Sequence, residues 1–289
     1  MSGGFSLWTA PRVIDETGAC AVLYKPPLMF AAPLSDDPSG TLLGWFAGLC
    51  PAVLEAGGER NREGGLLHRL DFETEGLVLC AKTQEAFVSL RAQQSAGDFV
   101  KEYDAAVIAA DGGGSPELPG FPALPPSLAG TGLSAAGPPV SIESFFRPWG
   151  PGRKAVRPVV RGPARGGPYR TEILAVSGGP AAREAGSPRI LTVRISRGFR
   201  HQIRCHLAWI GEPILNDVLY GGTPVRQRDG HEEPGEPASR KPASRDGTAK
   251  RPIALRARGF RFFDPSTGIQ RDYRLPGFAE TPGLAALCN

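Results

Sequence analysis

The stretch Leu66–Lys82 reads LLHRLDFETEGLVLCAK and passes from a crowded polar patch into an apolar run. The apolar run, Gly76–Ala81, predicts a strand that is buried on both faces. Asp71 then lies in a turn that enters a buried strand. A partly desolvated carboxylate at such a place can act as a nucleophile or a general base if a cation keeps it ionised. The alternative is an aspartate that only stabilises the turn.

The rest of the chain contains more strand patterns than helix patterns, and the two do not alternate regularly. Further strands are predicted at Ala19–Tyr24, Phe99–Ile108, Tyr169–Val176 and Ile190–Ile195. Helices are predicted at Thr41–Leu49 and Thr83–Gln94, each with its first threonine as the cap, and at Arg200–Ile210, with Gly211 as the C-terminal stop. This pattern indicates an α+β fold rather than a doubly wound one.

The predicted helix Arg200–Ile210 carries cations close to an apolar side. In a helix, Arg200 and Arg204 share a face because they are four residues apart, and His201 lies one step round. Such a face can hold a carboxylate or a phosphate. A basic face that only meets solvent is the equal alternative.

The charge of the 289-residue chain is unevenly distributed. Residues 147–204 hold 13 Lys and Arg against two Asp and Glu, although the net charge of the whole chain is only +4. A segment this basic favours a polyanionic partner, most plausibly nucleic acid. The alternative is a compositional bias toward arginine, since the chain has 27 Arg and only 6 Lys.

The cysteines and the hydropathy pattern indicate a protein of the cytoplasm. Five cysteines are scattered along the chain without a CxxC pair, so neither a disulfide framework nor a zinc site is expected. No apolar run has the length of a membrane span, and the first residues lack a secretory signal pattern.

Two segments have the composition of surface loops. Residues 111–139 are rich in Gly and Pro, and residues 223–250 are polar, charged and dotted with proline. Both lack the apolar residues that would offset the entropy of ordering. We expect a single domain over residues 1–289 in which these segments are mobile surface insertions, with no separate RNA-binding module before it.

Four stretches together resemble one known family. His68–Lys82, HRLDFETEGLVLCAK, resembles the HRLD-x-x-TSG active-site motif of RNA pseudouridine synthases of the ribosomal large-subunit (RluA-like) type. Ala19–Pro27 is similar to the family's opening strand and its Lys-Pro segment. Lys101–Val107 is similar to its K-x-Y-x-A-x-V strand. Gly198–Gly221 is similar to its late HQIR-x-H…PI-x-x-D-x-x-YG block. The combination, in the family's order, is far more specific than HRLD alone.

The resemblance implies a fold, a reaction and a set of site residues. It implies one domain with a mixed, largely antiparallel sheet, flanked by helices and loops around a central cleft. It implies isomerisation of uridine in rRNA or tRNA, with RNA as partner, a monomeric enzyme, and neither cofactor nor metal. By this resemblance Asp71 matches the catalytic aspartate, and Arg204 matches the arginine that pairs with it. Arg69 matches the residue that fills the space of the flipped-out nucleotide, and Tyr103 matches the aromatic residue that stacks on the base. Arg204, together with Arg200 and His201 beside it, completes the implied set of substrate-binding residues.

The sequence leaves the family's pattern at three positions. Glu75 stands where the family has Ser, and we expect it to add negative charge near an RNA site. Phe72 follows HRLD, and Phe199 occupies the usual arginine position, so that the phosphate contact there is either lost or made by Arg200 instead. These changes keep a second hypothesis open, a relative that binds RNA without isomerising it.

Overall fold

The computed structural model describes residues 6–58, 62–108, 118–128, 133, 137, 139–162, 167–178, 188–224 and 251–281. In this part of the chain ten strands form one sheet in the order β1-β2-β3-β9-β4-β8-β7-β5-β6, with β10 paired to β9. The strands are β1 Arg12–Glu16, β2 Cys20–Lys25, β3 Glu75–Ala81, β4 Val100–Ile108, β5 Val140–Trp149, β6 Ala155–Val159, β7 Tyr169–Ser177, β8 Pro188–Ile195, β9 Leu255–Phe263 and β10 Gln270–Arg274.

Three helices flank the sheet. They are α1 Leu42–Ala47, α2 Gln84–Ala96 and α3 Gln202–Trp209. Short 3-10 turns occur at Pro51–Leu54, Pro151–Arg153, Val218–Tyr220 and Phe278–Glu280. The α+β prediction is confirmed, and the predicted strands are present with ends that differ by one or two residues.

Strands β2 and β3 form the centre of two hydrophobic layers. Every residue of both strands is buried, as the apolar run of β3 predicts. Alternate side chains enter opposite layers: Leu23 and Val78 join the larger core, and Val22 and Leu79 join the smaller one. The strand that follows the Asp71 turn is therefore held on both faces.

The ends of α1 and α2 follow the predicted caps. Thr41 Oγ1 accepts a hydrogen bond from Gly44 N at 3.0 Å, and Thr83 Oγ1 accepts one from Ala86 N at 3.2 Å. Helix α2 ends at Gly97, whose positive φ of 88° gives the left-handed conformation that glycine adopts without strain.

The predicted start of α3 is wrong. His201 has a φ of 55°, so the helix begins at Gln202 and not at Arg200. Every residue of α3 is buried, which also excludes the solvated basic face. Arg200 and Arg204 therefore do not share a helix face. Gly211, with a φ of 84°, follows the end of the helix as predicted.

Most of the two predicted insertions lies outside the described residues. Residues 118–128 of the first insertion are described, and contrary to the expectation of a mobile surface loop they pack on the domain, with Leu128 in the larger core and Phe121 against Tyr220. Two of their backbone carbonyls also accept hydrogen bonds. Trp209 Nε1 donates to Pro122 O at 2.8 Å, and Arg157 Nη1 donates to Gly120 O at 2.6 Å. This part of the insertion is thus attached to α3 and β6.

All but one of the paired strands run antiparallel, and the exception lies beside the Asp71 turn. Strands β3 and β9 are parallel, with Glu75 opposite Arg256 and Gly76 opposite Ala257. Gly76 has a φ of 128°, and a Cβ added to it would lie 2.4 Å from the carbonyl oxygen of Ala257. The close approach of the two strands therefore requires glycine at this position.

We expect Gly76→Ala to lower the free energy of unfolding by about 3 kcal/mol, because it adds a backbone clash to an unfavourable φ. Urea denaturation measures this change. Gly97→Ala is the matched control, since Gly97 also has a positive φ but has open space around its Cβ position. It should cost only about 1 kcal/mol, and equal losses for the two variants would refute the close-approach argument.

Candidate active site

An open cleft lies over β4, between the turn that contains Asp71 and the start of α3. The carboxylate of Asp71 reaches this cleft with 24% of its side chain exposed. The turn closes through a hydrogen bond from Thr74 N to Asp71 O at 3.1 Å, immediately before β3 begins. The residue that the sequence singles out is thus fixed at the mouth of a fully buried strand.

A buried lysine attaches the same turn to the end of β2. The Lys25 ammonium donates hydrogen bonds to the carbonyl oxygens of Pro26 at 2.9 Å, Met29 at 2.8 Å and Phe72 at 3.4 Å. Burial lowers the pKa of Lys25 to about 7, although Asp71 and Glu73 act in the opposite direction. The Lys-Pro segment therefore stabilises the turn that contains Asp71, through the hydrogen bond from Lys25 to Phe72 O.

Arg204 joins Asp71 to a second buried carboxylate. Its Nη1 lies 3.0 Å from Asp71 Oδ2, while Nε and Nη2 lie 2.7 and 2.8 Å from the two oxygens of Asp217. Arg204 is 4% exposed and Asp217 is 1% exposed. The bidentate pair with Asp217 fixes the plane of the guanidinium, so that its remaining edge points at Asp71.

The surroundings of Asp71 favour its ionised form. Burial alone would raise the pKa of Asp71, but the charge of Arg204 and its hydrogen bond outweigh burial, and the pKa is lowered. Asp71 is therefore a carboxylate at neutral pH, and its oxygens face the cleft.

His201 lies next to this pair as a neutral side chain. Its Nε2 lies 3.9 Å from Asp71 Oδ1, and its Nδ1 lies 3.1 Å from the hydroxyl of Tyr220. Burial lowers the pKa of His201 to about 4, which exceeds the opposite effect of Asp71. His201 therefore contributes hydrogen bonding but no positive charge at neutral pH.

Tyr103 and Arg69 both line the cleft but differ in burial: Tyr103 is buried and Arg69 is exposed. Tyr103 extends from β4 and lines the cleft, and burial followed by the charge of Asp71 raises its pKa, so the phenol stays protonated. Arg69 is 59% exposed and pairs with Glu63 at 2.9 Å. An exposed pair of this kind contributes about 0–1 kcal/mol, so Arg69 is free to move.

Arg200 lies near the cleft but contacts the hairpin between β5 and β6. Its Nη2 donates to the carbonyl oxygens of Arg153 at 2.7 Å and Ala155 at 3.0 Å. The structure thus brings Asp71, His201 and Arg204 together, with Tyr103 in the same cleft, while Arg200 and Arg69 lie at its rim.

The expected role of Glu75 is wrong. Its carboxylate is buried and does not line the cleft: Oε1 pairs with Arg256 Nε at 2.7 Å, and Oε2 accepts a hydrogen bond from the Tyr24 hydroxyl. The charge of Arg256 balances that of Glu75. The substitution therefore belongs to the junction of β3 with β9 and adds no negative charge to the cleft.

The two phenylalanines among the family departures do line the cleft. Phe72 packs against Phe30 with ring centroids 4.6 Å apart. Phe199 lies between Phe146 and Tyr169, each at 5.1 Å, and its ring is nearly parallel to that of Phe146. Phe72 and Phe199 thus give the cleft an aromatic surface at two positions where the family usually has polar side chains.

The sequence analysis missed Asp217 as a site residue. Asp217 follows α3 after a turn and is 13 positions from Arg204 in sequence. The available signal was the aspartate of the PI-x-x-D-x-x-YG spacing at Pro213–Gly221, which gives the residue type but no partner. In the described part of the chain no cluster of His, Cys, Asp and Glu could hold a metal ion, and no helix is long and apolar enough to cross a membrane.

Comparison with known proteins gives a consistent set of matches. Residues 50–209 match the family described as RNA pseudouridylate synthase. The chain is 26% identical over 215 residues to ribosomal large subunit pseudouridine synthase D of Yersinia pestis, covering 73% of this chain and 53% of that protein. It is 33% identical over 197 residues to an uncharacterized RNA pseudouridine synthase of Chloroflexus aurantiacus, covering 68% of this chain and 50% of that protein.

Solved structures show the same fold. Human RNA pseudouridylate synthase domain containing 1 superposes with a TM-score of 0.58 at 17% identity, covering 96% of this chain and 87% of that chain. Human RNA pseudouridylate synthase domain containing 4 gives a TM-score of 0.53 at 17% identity, covering 94% and 92%. The chain spans about half the length of the first two curated relatives.

We expect Asp217→Asn to lower the free energy of unfolding by roughly 3 kcal/mol, because it removes one partner of a buried bidentate ion pair. Urea denaturation at neutral pH measures the change. The matched control is Asp272→Asn, whose carboxylate is exposed and lies 3.8 Å from Arg274. The control should change stability by less than about 0.5 kcal/mol, and an equally small effect at position 217 would contradict a structural role for the pair.

Proposed function

The chain belongs to the RNA pseudouridylate synthase family, and on that premise we propose that it is an enzyme that isomerises specific uridines in RNA to pseudouridine. The observation that carries the proposal is the ionised Asp71, oriented by Arg204 and open to a cleft. In this proposal Asp71 is the nucleophile. A protein that only binds RNA has no need for a buried arginine, Arg204, that orients the carboxylate of Asp71.

The reaction needs no external electron or group donor. The glycosidic bond between C1′ and N1 of uridine breaks, the base rotates, and a bond forms between C1′ and C5. The proton that leaves C5 balances the proton that N1 gains. We propose that Asp71 attacks the substrate and that Arg204 stabilises the carboxylate before attack and after its release.

The remaining residues are proposed to bind the substrate. Tyr103 offers a protonated aromatic ring on which the target base stacks. Arg69 leaves Glu63 and occupies the space of the extruded nucleotide, which offsets part of the few kcal/mol that base flipping costs. His201 offers a neutral ring beside Asp71, and Arg200 contacts RNA with the part of its guanidinium that does not bind the β5–β6 hairpin.

The basic segment is proposed to supply the affinity for RNA. Lys154, Arg197 and Arg200, all from residues 147–204, line the cleft. We propose ribosomal RNA as the substrate because several relatives, among them the protein of Yersinia pestis, are named for the large ribosomal subunit, with tRNA as the alternative. We further propose a monomer in the cytoplasm, a compartment that suits the free cysteines Cys20, Cys50, Cys80 and Cys205.

We expect Asp71→Asn to reduce pseudouridine formation by at least about a thousandfold, because the amide is not a nucleophile. Ribosomal and transfer RNA from cells with and without the protein are mapped chemically for pseudouridine, and the purified protein is then assayed on the RNA that differs. Asp272→Asn makes the same chemical change at an exposed position of β10 and should retain full activity. Substantial activity in the Asp71 variant would remove that residue from the role of nucleophile.

We expect kcat/KM to show no acid limb between about pH 8 and pH 6, and so no decline near the usual histidine value of about 6.5 as the pH is lowered. Asp71 has a lowered pKa and remains ionised over this range, and His201, with a pKa of about 4, remains neutral. The lowered pKa also means that Asp71 contributes stability at neutral pH that is lost only as the pH falls through its folded-state value. An acid limb near pH 6.5 would show that His201 titrates there.

A further inference from the structure

Lys101 is a buried cation for which the described residues provide no partner. It extends from β4, is 4% exposed, and lines the same cleft as Tyr103 two residues along the strand. Among the described residues no oxygen accepts a hydrogen bond from its ammonium and no carboxylate pairs with it. Within that set the ammonium makes a cation–π contact with the ring of Phe99, whose centroid lies 5.8 Å from Nζ.

Lys25 gives an internal comparison. It is also fully buried, yet its ammonium donates to three carbonyl oxygens. A buried ammonium normally has such partners because its desolvation is otherwise uncompensated. The contrast between the two lysines suggests that Lys101 obtains its partner from outside the protein.

The surroundings of Lys101 suit an anion. Arg91 and Arg197 line the same part of the cleft, and the neighbouring His68 is neutral because burial lowers its pKa well below the usual value. A Cβ added to Gly198 would lie 3.3 Å from Lys101 Nζ. Because Gly198 has no side chain, the ammonium is accessible from the cleft. Burial, with Arg91, lowers the pKa of Lys101 to about 8, and no acidic residue acts in the opposite direction.

We propose that Lys101, opposite Gly198, forms a subsite for one phosphate of the RNA backbone next to the target nucleotide. The inference rests on the proposed function, since Tyr103 is there the residue on which the target base stacks. Two residues of a strand span about 6.6 Å, so the ammonium lies within reach of a phosphate that flanks that base. A phosphodiester supplies both the negative charge and the acceptor oxygens that the described residues do not provide at Lys101.

The test exploits the opposite effects of Lys101 on stability and on RNA binding. We expect Lys101→Met to raise the melting temperature of the free protein by a few degrees, because an uncompensated buried charge is replaced by an apolar chain of similar length. We expect the same variant to bind a transcript of bacterial large-subunit ribosomal RNA about tenfold more weakly. The slope of log Kd against log salt should fall by about 0.7 to 0.9, the value of one phosphate contact.

Two variants provide the controls. Lys101→Arg keeps the charge and should keep the salt slope. Lys82→Met removes a partly exposed lysine that pairs with Glu16, and it should change neither the slope nor the affinity. An unchanged slope in Lys101→Met would overturn the inference, and so would a loss of stability or failure to fold, since either result would show that Lys101 supports the free fold.

Two further outcomes separate this inference from its alternatives. If wild-type protein forms no pseudouridine but the RNA-binding slope still depends on Lys101, the proposed function fails and the phosphate subsite stands. If inorganic phosphate stabilises the wild type but not Lys101→Met, while the RNA slope is the same in both, the site holds a free anion and the backbone subsite is overturned.

Discussion

The arrangement of the site depends on one buried arginine that lies between two aspartates. Arg204 brings no stability by its charge alone, because burying a guanidinium costs several kcal/mol unless carboxylates compensate it. Asp217 provides that compensation with two hydrogen bonds and leaves one edge of the guanidinium for Asp71. The ion pair with Asp217 therefore compensates the burial of Arg204 and also orients it toward Asp71. Arg204 in turn keeps Asp71 ionised and fixes its orientation.

A second buried ion pair determines where the Asp71 turn can lie. Glu75 and Arg256 face each other across the parallel junction of β3 and β9, and Arg256 also donates to Pro276 O at 2.8 Å and to Thr281 Oγ1 at 2.9 Å. Gly76 allows the two strands to approach at the next position. Because Asp71 lies four residues before Glu75, this junction fixes the base of the turn that contains Asp71. It also explains how the chain accommodates an acidic residue in a family motif that usually has serine.

Apolar runs and caps could be predicted from the sequence because they are local. The buried strand β3 and the caps of α1 and α2 follow from residues that are neighbours in the chain. Strand β9 could not be recognised in the same way. Its three arginines interrupt the apolar pattern, and Arg256 is buried with partners far away in the sequence, among them Glu75 at a separation of 181 positions. The start of α3 was misplaced for a related reason, since a left-handed His201 is stabilised by contacts with Tyr220.

The sequence by itself determined the chemical types at the site: a carboxylate at the entrance of a buried strand, arginines in a later motif, and an aromatic residue on a third strand. Those assignments are possible because the types of the residues and their order along the chain do not depend on its conformation. The family resemblance had already implied that Arg204 pairs with Asp71, but only the tertiary structure decided that Arg200 turns instead to the β5–β6 hairpin and that Asp217 completes the pair. It also separated Lys25, which has three acceptors, from Lys101, which has none in the described chain. Partner choice among buried charges depends on distances of about 3 Å between segments far apart in sequence, and such distances exist only in the folded chain.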